Sequence, residues 1–99
     1  MSAKENKYQR DLIKQISRLF PGSLVLKNDP NYIQGIPDLL VLHGEKWAML
    51  EVKAYANASH RPNQEHYIAR LNHMGFARFV YPENEEEVLR DLDLYFSQA

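Results

Sequence analysis

The chain is predicted to be an α/β domain, a mixed four-stranded sheet flanked by helices in the order α-β-β-β-α-β-α. Three features carry this. Apolar residues recur at helical spacing in three stretches, four short apolar runs lie between and beside them, and Pro or Gly punctuates most of the boundaries. Residues 4–20 place Tyr8, Leu12, Ile13, Ile16, Leu19 and Phe20 on one helical face between Lys, Arg and Gln, and Pro21-Gly22 ends the run. Residues 23–26 (Ser-Leu-Val-Leu) make a short strand, and residues 27–35, with Asn-Asp-Pro-Asn and a Gly, a loop. Residues 37–42 and 47–53 are strands. Residues 54–61 are small and polar, a second loop. Pro62 suits the first turn of a helix that runs to about His73 and is ended by Gly75. Residues 77–81 form the fourth strand, closed by Pro82, and residues 85–96 a last helix whose first turn holds three acids, favourable for its dipole. The two central strands are apolar on both faces, so helices or a partner should cover both sides. A right-handed β-α-β crossover should join the third strand to the fourth.

Ninety-nine residues suit one domain, spanning 1–99, with a thin core that a second copy could supplement. The absence of cysteine excludes disulfides and thiolate metal sites. The charged N-terminal stretch shows no secretory pattern, and no apolar run reaches membrane-spanning length; both fit a cytoplasmic protein. Net charge is −1, but it is unevenly distributed. Residues 1–27 carry six cations (Lys4, Lys7, Arg10, Lys14, Arg18, Lys27) against Glu5 and Asp11, whereas residues 61–99 carry four Arg against seven acids. The basic end is either a surface for a phosphate backbone or a solvated helix face.

The chemistry centres on a hairpin. His43-Gly44-Glu45-Lys46 separates the second and third strands, and Gly44-Glu45 fits a two-residue turn with Gly first. Centring the turn there pairs residue 42 with 47, 40 with 49, and 38 with 51, which sets Asp38 opposite Glu51. Residues so paired have Cβ atoms about 4.5–5.5 Å apart on one face. Lys53, two residues on, projects from that same face. A lone Glu-x-Lys is ordinarily a cross-strand ion pair. Here the acid sits among apolar neighbours in Met49-Leu50-Glu51-Val52-Lys53 and faces a second acid, an unfavourable pairing unless a divalent cation lies between them. Two acids and a lysine on one patch suit metal-assisted phosphodiester cleavage.

Gly35-Ile36-Pro37-Asp38-Leu39-Leu40-Val41, Leu50-Glu51-Val52-Lys53, Arg61-Pro62-Asn63-Gln64 and Gly75 together resemble the VRR-NUC branch of the PD-(D/E)XK nucleases, which is related to archaeal-type Holliday junction resolvases. The resemblance runs from residue 5 to about 81. It implies a restriction-endonuclease-like core and a metal-dependent endodeoxyribonuclease. Asp38 and Glu51 would hold Mg²⁺ or Mn²⁺ with the Val52 carbonyl, Lys53 would be the catalytic lysine, and Gln64 would approach from its helix. Glu5 matches a further acid of the family, although a first-turn helix acid needs no such role. Stand-alone relatives of this size are often virus-encoded, and are expected to dimerise and act on branched DNA; larger relatives act on single-stranded flaps.

Lys4, Lys7, Arg10, Lys14 and Arg61 are the candidate contacts to the DNA backbone, and Arg18 continues the same helix face. His60 and His66 flank the presumed site and are either phosphate contacts or simply exposed residues, and Trp47 and Phe79 read as core or dimer interface in preference to base-stacking platforms. Nothing resembles a base-reading element, so shape recognition is expected in place of sequence readout. Two other readings remain open: a nuclease fold that grips DNA junctions or a protein partner without cutting, and a small α/β interaction domain.

Overall fold

The structure is a computed structural model and describes residues 2–98. Its elements are α1 (Ala3–Leu19), β1 (Leu24–Lys27), β2 (Leu39–His43), β3 (Lys46–Val52), α2 (Pro62–Met74), β4 (Phe76–Val80) and α3 (Glu85–Phe96). The order is the expected α-β-β-β-α-β-α, with strand ends moved by one or two residues. The sheet runs β1-β2-β3-β4, antiparallel across the first three strands and parallel between β3 and β4. It is therefore mixed, as the sequence predicts.

Gly44 takes φ +61° and is followed by a residue with negative φ, the pattern of a type II′ turn, whose twist suits a tight hairpin. That turn fixes the register as Leu42 with Trp47 and Leu40 with Met49. Carried two residues further, it sets Asp38 against Glu51.

Alternation along the strands separates two faces. One presents Leu39, Val41, Ala48, Leu50 and Val52 to Leu12 and Ile16 of α1 and to Val88, Leu89 and Leu92 of α3, all buried. This is the core. The other face carries Leu40, Leu42, Trp47, Met49, Glu51 and Lys53. Of the helices only α2 covers it, resting on β3 and β4, and α2 contributes no buried residue. Covering is thus uneven where the sequence predicted cover on both sides. Thirteen residues of α2 reach across two strands, and over β1–β2 the side chains of Leu24 (56% exposed), Leu26 and Leu42 stay open. Among the described residues no helix is long and apolar enough to cross a membrane.

Two glycines set close approaches. Gly35, at φ +91°, lies so near α2 that an added Cβ would stand 2.7 Å from Asn63 Cγ, which docks the loop before β2 onto the start of α2. Gly75 admits the Trp47 ring in the same way, 2.8 Å from where its Cβ would be.

Candidate active site

The acid pair sits at the end of the sheet where β2 begins and β3 runs out. Asn28 holds this strand start: its backbone N–H donates to Asp38 O (2.9 Å) and its amide to Pro37 O (2.9 Å). The Asp38 carboxylate accepts the Val52 N–H at 2.8 Å, and Asp38 and Glu51 meet through a side-chain hydrogen bond. Lys53 Nζ lies 3.7 Å from Glu51 Oε2. Glu51 is 4% exposed and Lys53 8%, unusual burial for such groups.

Gln64 ties the cluster together. Its Oε1 accepts from Lys53 Nζ (2.9 Å) and from the Arg61 N–H (3.1 Å), and its Nε2 donates to Glu51 Oε2 (3.1 Å). The position follows from the local sequence. Pro62 starts α2, Gln64 falls in its first turn, and its side chain reaches back to the backbone N–H ahead of the helix, as a capping glutamine does.

Burial pushes the carboxyls up. Glu51 rises from 4.5 to about 8, first through burial and then through the nearby Asp38 charge, with Lys53 opposing. Asp38 is also raised by burial, against the Val52 N–H and Lys53. Glu5 is raised by burial too, with Lys53 lowering it and Asp38 raising it, and it takes a backbone hydrogen bond from Ala54. A value raised to about 8 favours the protonated form of Glu51 at neutral pH when no metal is bound.

These groups floor a cleft of about 490 Å³ lined by Glu5, Asp38, Glu51, Lys53, Tyr55, Arg61 and Gln64, with Ser2, Pro30, Ala54, Ala58 and Ser59 around them. A second hollow, formed by Asn31, Gln34, Gly35 and Ile36 of the β1–β2 loop, shares Pro30, Asp38, Glu51, Arg61 and Gln64 with it. All five residues expected at the catalytic centre therefore reach one cleft. Val52, expected to offer its carbonyl, meets Asp38 through its N–H. Among the described residues, no three His, Cys, Asp or Glu side chains stand close enough to hold a metal ion together. Glu5 shares the cleft without closing such a cluster.

Of the expected phosphate contacts, Arg61 lines the cleft, and exposed Lys4 has its Nζ 5.7 Å from the ring centre of Tyr55, a lining residue. Lys7 is paired with Asp11 at 2.9 Å, and Lys7, Arg10 and Lys14 are exposed residues of α1 that do not line the cleft. His60 stacks flat on Phe79, centroids 3.9 Å apart, beside Glu65, so it is a packing residue next to the site. The sequence reading missed Asn28 and the lining residues of the β1–β2 loop. The Asn-Asp-Pro-Asn run announces a turn, but its position over the acids depends on the distant contact of Gly35 with Asn63.

A scan of the chain against protein-family models finds no match, and a comparison with curated proteins finds none either. The geometry defines a small α/β domain in which buried Glu51 and Lys53 meet half-buried Asp38 and Gln64 at the floor of an open cleft.

Proposed function

We propose that this chain is a Mg²⁺- or Mn²⁺-dependent endonuclease that hydrolyses phosphodiester bonds in DNA. The observation that carries this reading is the convergence of Asp38, Glu51, Lys53 and Gln64, four residues from three separate segments, on one cleft floor. Opposed buried carboxylates destabilise a fold, and a divalent cation converts that cost into a binding site. The donor set fits such an ion. Mg²⁺ is commonly held by one or two carboxylates with the remaining positions taken by water and substrate phosphate; Asp38 and Glu51 provide the two, and Glu5 lines the same cleft. When bound, the metal would polarise the phosphate and acidify a water.

The chain's own groups do the rest. Lys53, held by Gln64 and Glu51, directs its ammonium at charge that builds on the phosphoryl oxygens. Gln64 fixes both Lys53 and the Glu51 carboxylate. Glu51, raised to about 8 by burial and by Asp38, would hold a proton at the cleft floor in the metal-free site and would bind a metal as the carboxylate. Hydrolysis joins a water oxygen to phosphorus and breaks one P–O ester bond, and a proton ends on the departing oxygen. The residues quoted for the VRR-NUC resemblance are these same residues, which supports a branched-DNA substrate.

The open sheet face supports a homodimer. Leu24, Leu26, Leu40, Leu42, Trp47 and Met49 share that face and none carries charge, so a second copy meets no like-charge repulsion there.

The test is a cleavage panel of four-way junction, flap, nicked and linear DNA with Mg²⁺ or Mn²⁺, wild type beside Lys53→Ala. We expect metal-dependent cutting that Lys53→Ala lowers by about 10²-fold or more. A wild-type protein that leaves every substrate intact, or a Lys53→Ala variant that cuts like wild type, rules the reading out. The lack of a three-ligand cluster favours one alternative, a module that grips DNA without cutting. Calorimetric titration with Mn²⁺ separates the two: no ion uptake by wild type selects the binding module.

A further inference from the structure

The scissile phosphate must descend to reach this site, because Glu51 and Lys53 lie at the bottom of the trough and are almost wholly buried. The trough passes over the acid pair and continues on the far side, where the β1–β2 loop forms its wall. Tyr55 stands over the near arm, two residues beyond Lys53. Tyr55 lines the cleft and is 46% exposed. Lys4 steadies it by a cation–π contact. The loop beneath is braced by Ala58 N–H to Tyr55 O (3.2 Å) and Ala56 N–H to Glu83 Oε2 (3.2 Å).

We infer that Tyr55 is a stacking platform for an unpaired base beside the phosphate to be cleaved, so that the strand lies single-stranded where it crosses the acid pair. This rests on the phosphodiesterase reading for the identity of the site. In a duplex the base faces are covered by their neighbours, and the partner strand accompanies each phosphate to the cleft mouth. An unpaired nucleotide offers Tyr55 a free π-face while its phosphate drops to the floor. Stacking of this kind tolerates any base, in keeping with the absence of a base-reading element. The nucleotide beside the cleaved phosphate is thus unpaired, whatever its base.

The probe is a single strand of about 12 nucleotides carrying 2-aminopurine, compared with the same strand in a blunt duplex, at low salt in EDTA. Neither metal nor cleavage is needed. We expect wild type to bind the strand and quench the 2-aminopurine. Tyr55→Ala should bind it about ten-fold more weakly without quenching, Tyr55→Phe and Tyr55→Trp should retain both properties, and duplex binding should not change among the variants. Thermal unfolding by circular dichroism checks that each variant is folded. Failure of wild type to bind the strand, unchanged strand binding in folded Tyr55→Ala, or equal losses on strand and duplex overturns the inference. The two readings fail separately. A Tyr55 signature in a chain that never cuts retains the platform and removes the nuclease; cutting by wild type with no Tyr55 signature does the reverse.

Discussion

Replacing Glu51 with Gln should stabilise the metal-free protein in alkaline solution. In the folded chain Glu51 protonates at about 8, against 4.5 for an ordinary glutamate. A carboxyl whose folded value is raised favours folding below its unfolded value, and that contribution is lost as pH climbs through the folded value. The loss therefore begins near 4.5 and is complete just above 8. At about 1.4 kcal/mol per tenfold change in proton affinity, as much as about 5 kcal/mol is involved, a large part of the about 5–15 kcal/mol that holds a domain folded. Gln keeps an oxygen and the size of the neutral acid but cannot ionise. Urea unfolding of wild type and Glu51→Gln in EDTA, at about pH 5 and about pH 9, reads the effect. The two should be close at the lower pH, and Glu51→Gln should be more stable by several kcal/mol at the higher. Saturating Mg²⁺ at the higher pH should then raise wild type by about 3 kcal/mol at a hundredfold excess over Kd, and the variant by less. A stability difference that does not change with pH, or one that favours wild type in alkali, would refute the assignment of Glu51 as a buried, proton-holding carboxyl.

Three other outcomes follow. Gln64→Ala removes three hydrogen bonds from the acid–lysine cluster; cleavage should fall about 10- to 100-fold while the thermal midpoint moves little, since Gln64 is only half-buried, and rates from single-turnover assays will show it. Gly35→Ala meets both a positive φ and Asn63, so it should cost about 1–3 kcal/mol in urea unfolding. In light scattering, the paired change Leu24→Lys and Leu42→Lys should convert a dimer to a folded monomer; a dimer that survives it places the interface elsewhere.

Much of this arrangement is legible in the sequence, for reasons that are local. Gly44 sets a turn, the turn sets a register, and a period of two then places Asp38, Glu51 and Lys53 on one face without any long-range information. Pro62 in the same way dates the start of α2 and so the position of Gln64. What could not be read depends on distant segments. Glu5 was expected through the family resemblance alone, because its arrival needs the orientation of α1 against the sheet, and the second half of the trough needs the β1–β2 loop folded onto α2. The uneven cover of the sheet was also hidden: apolar strands announce that both faces want cover, but not that a helix of α2's length reaches only two of the four strands. The open Leu24 and Leu42 follow from that shortfall.

Gln64 gives α2 an influence out of proportion to its grip. The helix has no residue sunk in the core, yet its first turn carries the amide that aligns lysine and acid. A slight lift of this shallow element would scatter the reacting groups while the rest of the molecule kept its shape. If the proposed cleavage takes place here, warming should silence it some degrees before the body melts, and anything that presses α2 down would act as the molecule's own throttle.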